Sequence, residues 1–86
     1  MPHIYLQGLD GKFFTPGAQK RNYLDEHGVL YTVWVKWVGG KCLCRPHKRV
    51  GGSFRVVPQT HWHETEQEAQ EELDWYAYET GLEESE

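Results

Sequence analysis

The dipeptide Gly39-Gly40 constrains this chain most. It separates Tyr31-Thr32-Val33-Trp34-Val35-Lys36-Trp37-Val38 from Lys41-Cys42-Leu43-Cys44-Arg45. Both flanks are dense in β-branched, aromatic and other apolar side chains, which suit a pleated, half-buried surface. A two-residue glycine loop fits a type I′ turn, because both central residues need positive φ. The turn sets the register of the strands it joins. Val38 then faces Lys41, Trp37 faces Cys42, Lys36 faces Leu43, Val35 faces Cys44 and Trp34 faces Arg45.

Strand alternation sorts these pairs onto two faces. Tyr31, Val33, Val35, Trp37, Cys42 and Cys44 share an apolar face, read as the core side. Thr32, Trp34, Lys36, Lys41, Leu43 and Arg45 share a mixed, basic face, read as the solvent side. The main strand spans 29–38 and its partner 41–45, where Pro46 is expected to end it. His47 to Gly52 is expected to be a longer basic loop. Ser53 to Val57 reads as a third strand, with Phe54 and Val56 inward and Arg55 outward, closed by Pro58.

Upstream, His3 to Gln7 and Lys12 to Phe14 read as short strands around an Asp10-Gly11 turn. Gln19 to Asn22 suits a single helical turn, and Asp25 to Gly28 a loop. Downstream, Thr65-Glu66-Gln67-Glu68 is a capping box that opens a helix to about Thr80, with Gly81 as its stop. Ala69, Leu73, Tyr76, Ala77 and Thr80 lie on one stripe of that helix, which is expected on the apolar sheet face. The expected fold is α+β: a three- to five-stranded antiparallel sheet with one C-terminal helix packed on one face. Residues 1–81 form one domain in this reading, and 82–86 an acidic frayed tail.

Charge is segregated. The formal net charge is −4. Yet residues 28–62 hold no Asp or Glu and do hold Lys36, Lys41, Arg45, Lys48, Arg49 and Arg55. Residues 64–86 reverse this, with many carboxylates and no Lys or Arg. Such asymmetry speaks about partners and steering, not about fold. No apolar run approaches a membrane span, and no secretory leader is read at the N-terminus. Cys42 and Cys44 are too close on one strand to bridge, which suits a reducing, cytoplasmic setting.

Each candidate site has a plain structural counterpart. Cys42, Cys44, His47, His61 and His63 carry zinc-ligand chemistry, but Cys-x-Cys is not the usual spacing, and the cysteines fall on the core face. No elbow, phosphate loop or paired carboxylates in a cleft point to catalysis, so no enzyme and no cofactor is expected. Trp34 with Lys36, Lys41, Arg45, Lys48, Arg49 and Arg55 offers positive charge and a stacking ring to nucleic acid. Its plain counterpart is a solvated basic sheet face. Trp75 and Tyr78, ringed by Glu68, Glu71, Glu72 and Glu79, offer an acidic, aromatic helix face to a protein or nucleoprotein partner. Its counterpart is Trp75 packed on residues 3–14 with solvated glutamates.

Tyr31-Thr32-Val33-Trp34, Gly40-Lys41 and Thr65-Glu66-Gln67-Glu68-Ala69 lie in a strand–strand–strand–helix order over residues 30–77. This resembles the small β-sheet-plus-helix modules of phage integrases (the arm-binding type) and of AP2-like DNA-binding domains. The resemblance implies a sheet that reads DNA through Trp34, Lys36, Arg45 and Arg55. The acidic helix, the acidic tail and the first 28 residues depart from that pattern. In size, aromatic content and acidic end the chain is also similar to small phage-encoded inhibitors of bacterial defence complexes, such as anti-CRISPR proteins. The leading expectation is a non-enzymatic, phage-type inhibitor docking through the helix face. The alternatives are nucleic-acid binding by the sheet and a zinc-stapled module.

Overall fold

The structure, a computed structural model, describes residues 6–7 and 13–85. Strand β1 (Leu6–Gln7) pairs antiparallel with β2 (Phe13–Phe14). The expected strand residues His3 to Tyr5 and Lys12, and the Asp10-Gly11 turn, lie outside the described residues. The main sheet holds β3 (Asn22–Leu24), β4 (Leu30–Val38), β5 (Lys41–Val50), β6 (Ser53–Val56) and β7 (Glu83–Ser85). Its order is β6-β5-β4-β3-β7, and every pairing is antiparallel. Helix α1 (Glu66–Thr80) packs on one face against β4 and β5. The fold is therefore α+β, and its sheet has five strands.

The central register is the one Gly39-Gly40 dictates, from Val38 opposite Lys41 to Trp34 opposite Arg45. Both glycines have positive φ, 58° and 80°. Thr65 caps α1: its hydroxyl accepts from the Glu68 N–H at 3.2 Å and donates to the Glu68 carboxylate at 2.9 Å. Gly81 closes the helix in the left-handed region at φ 75°.

Tyr23, Tyr31, Val33, Cys44 and Val57 meet Ala69, Leu73, Ala77 and Leu82 to form the core. Fully burying a Leu or Val side chain is worth about 1.5–3 kcal/mol. The helix stripe is as expected at Ala69, Leu73 and Ala77, with Tyr76 partly buried against it, whereas Thr80 is exposed. Among the described residues no helix is long and apolar enough to cross a membrane.

Several expectations are corrected. The stretch expected as a helical turn leads instead into β3, which lies between β4 and β7. Residues 83–85 are not a frayed tail, because they pair with Asn22 to Leu24. Pro46 does not end β5. In this register Pro46 turns its nitrogen away from β4, so the missing N–H costs nothing in the β4–β5 ladder. His47 to Gly52 is not a wide loop. It continues β5 to Val50 and closes in a tight Gly51-Gly52 turn, with Val50 opposite Ser53 and Arg49 opposite Phe54. That register reverses the expected faces of β6. Phe54 and Val56 point away from the helix and Arg55 toward its side, because a one-residue change of phase moves every side chain across the sheet.

Candidate functional site

Pro46 shapes the outer face of the sheet, the face away from α1. The Val57 N–H donates to the Pro46 carbonyl at 3.0 Å, but Pro46 has no N–H to return. The Val57 carbonyl accepts instead from the Thr60 hydroxyl at 2.6 Å and the Thr60 N–H at 3.4 Å. The chain leaves the sheet at Pro58 and comes back at His63, which exchanges 2.7 Å backbone hydrogen bonds with Cys44. His63 shares the helix side with Cys44, so the residue before it, Trp62, is delivered to the outer face.

There Trp62 joins an aromatic row. Ring centroids lie 4.5 Å apart for Phe54 and Trp34, 6.0 Å for Trp34 and His47, and 5.7 Å for His47 and Trp62. These spacings are those of favourable tilted and edge-to-face contacts. His47 is buried within the row, while Trp34 (40% exposed), Phe54, Val56 and Trp62 are open to solvent. The Arg45 guanidinium carbon sits 5.7 Å from the Trp62 ring centroid, and its Nε donates to Thr60 Oγ1 at 3.0 Å. Lys36, Lys41 and Arg49 share this phase of the strands. Lys48 and Arg55 do not, since they pair with each other and with Tyr31 on the helix side. The expected basic set is thus divided, and the placement of Arg55 outward is corrected. His47, Phe54, Val56 and Trp62 complete the face and were not expected on it. The signal for Phe54 and Val56 lies in Gly51-Gly52, the same turn element as Gly39-Gly40.

The loop that carries Trp62 is tied down by Glu72 of α1. The Glu72 carboxylate accepts from the His61 N–H at 2.8 Å, from His61 Nδ1 at 2.8 Å and from His63 Nε2 at 2.9 Å. Burial alone would raise the Glu72 carboxyl, but the His61 N–H and the two rings outweigh it and hold the group below the usual glutamate range. A carboxyl lowered by folding stabilises above its unfolded pKa, and that contribution disappears as pH falls through the folded value. Glu72→Gln is therefore expected to lower the melting temperature at pH 6. The variant should also show a smaller further loss than the parent on acidification below about pH 4.3, the ordinary glutamate value. Thermal unfolding from pH 3 to 7 checks this, and parallel curves would count against it.

His61 and His63 thus converge on a carboxylate rather than on the cysteines. Cys44 is buried, and burial pushes its thiol up, away from the thiolate that metals and electrophiles require. Among the described residues no group of three His, Cys, Asp or Glu side chains is arranged to hold a metal ion.

The helix face is partly spent on structure. Glu68 serves the cap, Glu72 the loop, and Glu71 lies half-buried near Gly17. Trp75 is half-buried, with Tyr78 edge-on at 6.0 Å and 89°. Tyr78 (54% exposed) and Glu79 stand free of the core. Asp74 is part of the same acidic run in sequence, yet it is wholly inside.

Comparison of the chain with protein-family models, with curated proteins and with solved structures finds no match to any of them.

Proposed function

We propose that this chain is a non-enzymatic binding protein whose outer sheet face receives single-stranded nucleic acid. The row Phe54, Trp34, His47 and Trp62 carries the reading, because it stands open on the face that also holds Lys36, Arg45 and Arg49. Every base has an apolar face that stacks on an aromatic ring, and the neighbouring cations meet the phosphates. The net negative charge does not oppose this. The helix and its carboxylates lie behind the sheet, and residues 28–62 hold no carboxylate at all.

Titration of a labelled single-stranded oligonucleotide at several salt concentrations tests the proposal. Contacts from Lys36, Arg45 and Arg49 correspond to a log–log salt slope of about −2, since each neutralised single-strand phosphate contributes about −0.7. Absence of binding at low salt, or binding indifferent to salt, would overturn it.

A second reading rests on the Trp75–Tyr78 pair. An exposed tyrosine against a half-buried tryptophan, beside Glu79, suits an anchor for a protein or nucleoprotein partner, such as a nucleic-acid-processing or defence complex that the chain inhibits. The same titration separates the two readings. The outer-face reading requires Tyr78→Ala to bind the oligonucleotide as the parent does.

A further inference from the structure

Among the described residues, the β4–β5 ribbon outruns everything beside it. On one side, β3 pairs with β4 only at Leu30 and Tyr31. On the other, β6 pairs with β5 from Val50 back to His47, and the last bridge on that side is Cys44 with His63. The helix starts just beyond that bridge, at Glu66. Residues 35–43 therefore project as a bare hairpin. Val35, Trp37 and Val38 are exposed on it, Trp37 at 73%. No other large hydrophobic side chain among the described residues is as open. A Cβ added at Gly39 or Gly40 would meet no atom of the described residues within 4 Å, so nothing among them crowds the tip. Lys36 and Lys41 flank the indole in the sequence.

An indole so placed adds nothing to the core and presents apolar surface to water. Its surroundings select the occupant. The tip is cationic, lacks carboxylates, and continues the strands that bear Trp34 and Arg45. Trp37 lies three residues beyond Trp34, roughly 10 Å along the strand at about 3.3 Å per residue, and projects from the opposite, helix-side face of the ribbon. We propose that the tip is a wedge for the end of a nucleic-acid duplex. Trp37 stacks on the terminal base pair where a duplex opens into a single strand, and that single strand crosses the hairpin tip to run back over the outer face, so that the ribbon stands between the parted strands. Lys36 and Lys41, both on the outer face, meet the phosphates of that single strand. Apolar side chains set against base pairs are a recurrent means of holding opened or kinked duplexes. This inference rests on the outer-face reading and adds a substrate class to it, the duplex–single-strand junction.

The test uses the full chain and labelled oligonucleotides of one sequence: a single strand, a blunt duplex and a duplex with a single-stranded overhang. Junction binding is expected to exceed single-strand binding by about fivefold or more, the lower end of what stacking on one ring supplies. Trp37→Ala is expected to abolish that preference with single-strand affinity unchanged, and Trp37→Phe to keep part of it. Because Trp37 is exposed, its replacement should leave the unfolding midpoint where it was. Equal binding of single strand and junction by the parent chain would overturn the wedge alone. Absence of single-strand binding would overturn the outer-face reading and the wedge with it. Sedimentation supplies a further check, because a dimer lost in Trp37→Ala would assign the tip to a second copy of this chain and overturn the wedge.

Discussion

Asp74→Ala is expected to cost about 3–5 kcal/mol of folding stability, the range for removing one partner of a buried charge pair. Asp74 is 0% exposed. One carboxylate oxygen accepts from the Tyr23 hydroxyl at 2.6 Å and Gln70 Nε2 at 2.9 Å. The other accepts from the Gly17 N–H at 2.9 Å and faces Arg21 Nη1 at 3.6 Å. The Arg21 side chain is itself buried, and its further carboxylate, Glu84 at 3.1 Å from Nε, is half exposed. Alanine would leave these donors unsatisfied and a guanidinium short of its counter-charge in a buried site. Folded domains are stable by only about 5–15 kcal/mol, so the variant would approach the threshold of unfolding. Asp74→Asn should also destabilise, since both oxygens accept and an amide would set a donor against a donor. Urea unfolding followed by circular dichroism measures both variants. A loss below about 1 kcal/mol, the worth of one ordinary hydrogen bond, would refute the role of this hub.

The same carboxylate also places the chain before the sheet. Gly17 has φ +78°, and a Cβ there would lie 2.8 Å from the Gln67 carbonyl oxygen of α1. Only glycine lets this segment lie close enough for its N–H to reach Asp74.

The second large effect concerns the outer face. The double variant Trp34→Ala/Phe54→Ala is expected to lose about 100-fold in single-strand affinity, given about 1–3 kcal/mol for each stacked base. The single variants should each lose about fivefold or more on the same basis, and the pair should not be additive, because the rings touch and share one platform. Both side chains are more than a third exposed, so the fold should survive their loss. Fluorescence anisotropy against a labelled oligonucleotide reads the change, with Trp75→Ala as a variant expected to bind like the parent. Retention of parental affinity in the double variant would remove the aromatic row from the interface.

Much of this was legible from residue order because it is local. Gly39-Gly40 admits one tight turn, and the turn carries the register for the length of the hairpin. Thr65 and Gly81 bound the helix because capping depends on residues within a turn of the end. The charge segregation was equally plain, since it needs no folding to be counted.

Other features rest on distant partners. Asn22 to Leu24 become a strand because β4 and β7 lie on either side, and β7 follows some sixty residues later. In the sequence Asp74 is one more carboxylate of an acidic run. It is buried because Gly17, Arg21 and Tyr23, all from the other end of the chain, meet it there.

Sequence alone determined the register of the central hairpin, the helix with its two caps, and the separation of basic strands from acidic helix. It did not determine how far the core reaches, for Val35 and Trp37 on the expected core side are exposed. Only the tertiary structure decided what the outer face is made of. Pro46 could remain in β5 because its absent N–H points away from β4, and that continuity carried the phase through Gly51-Gly52 to Phe54 and Val56. Alternation in a strand has a period of two residues, so one unforeseen residue of pairing turned a basic patch with a single tryptophan into an aromatic row edged by cations.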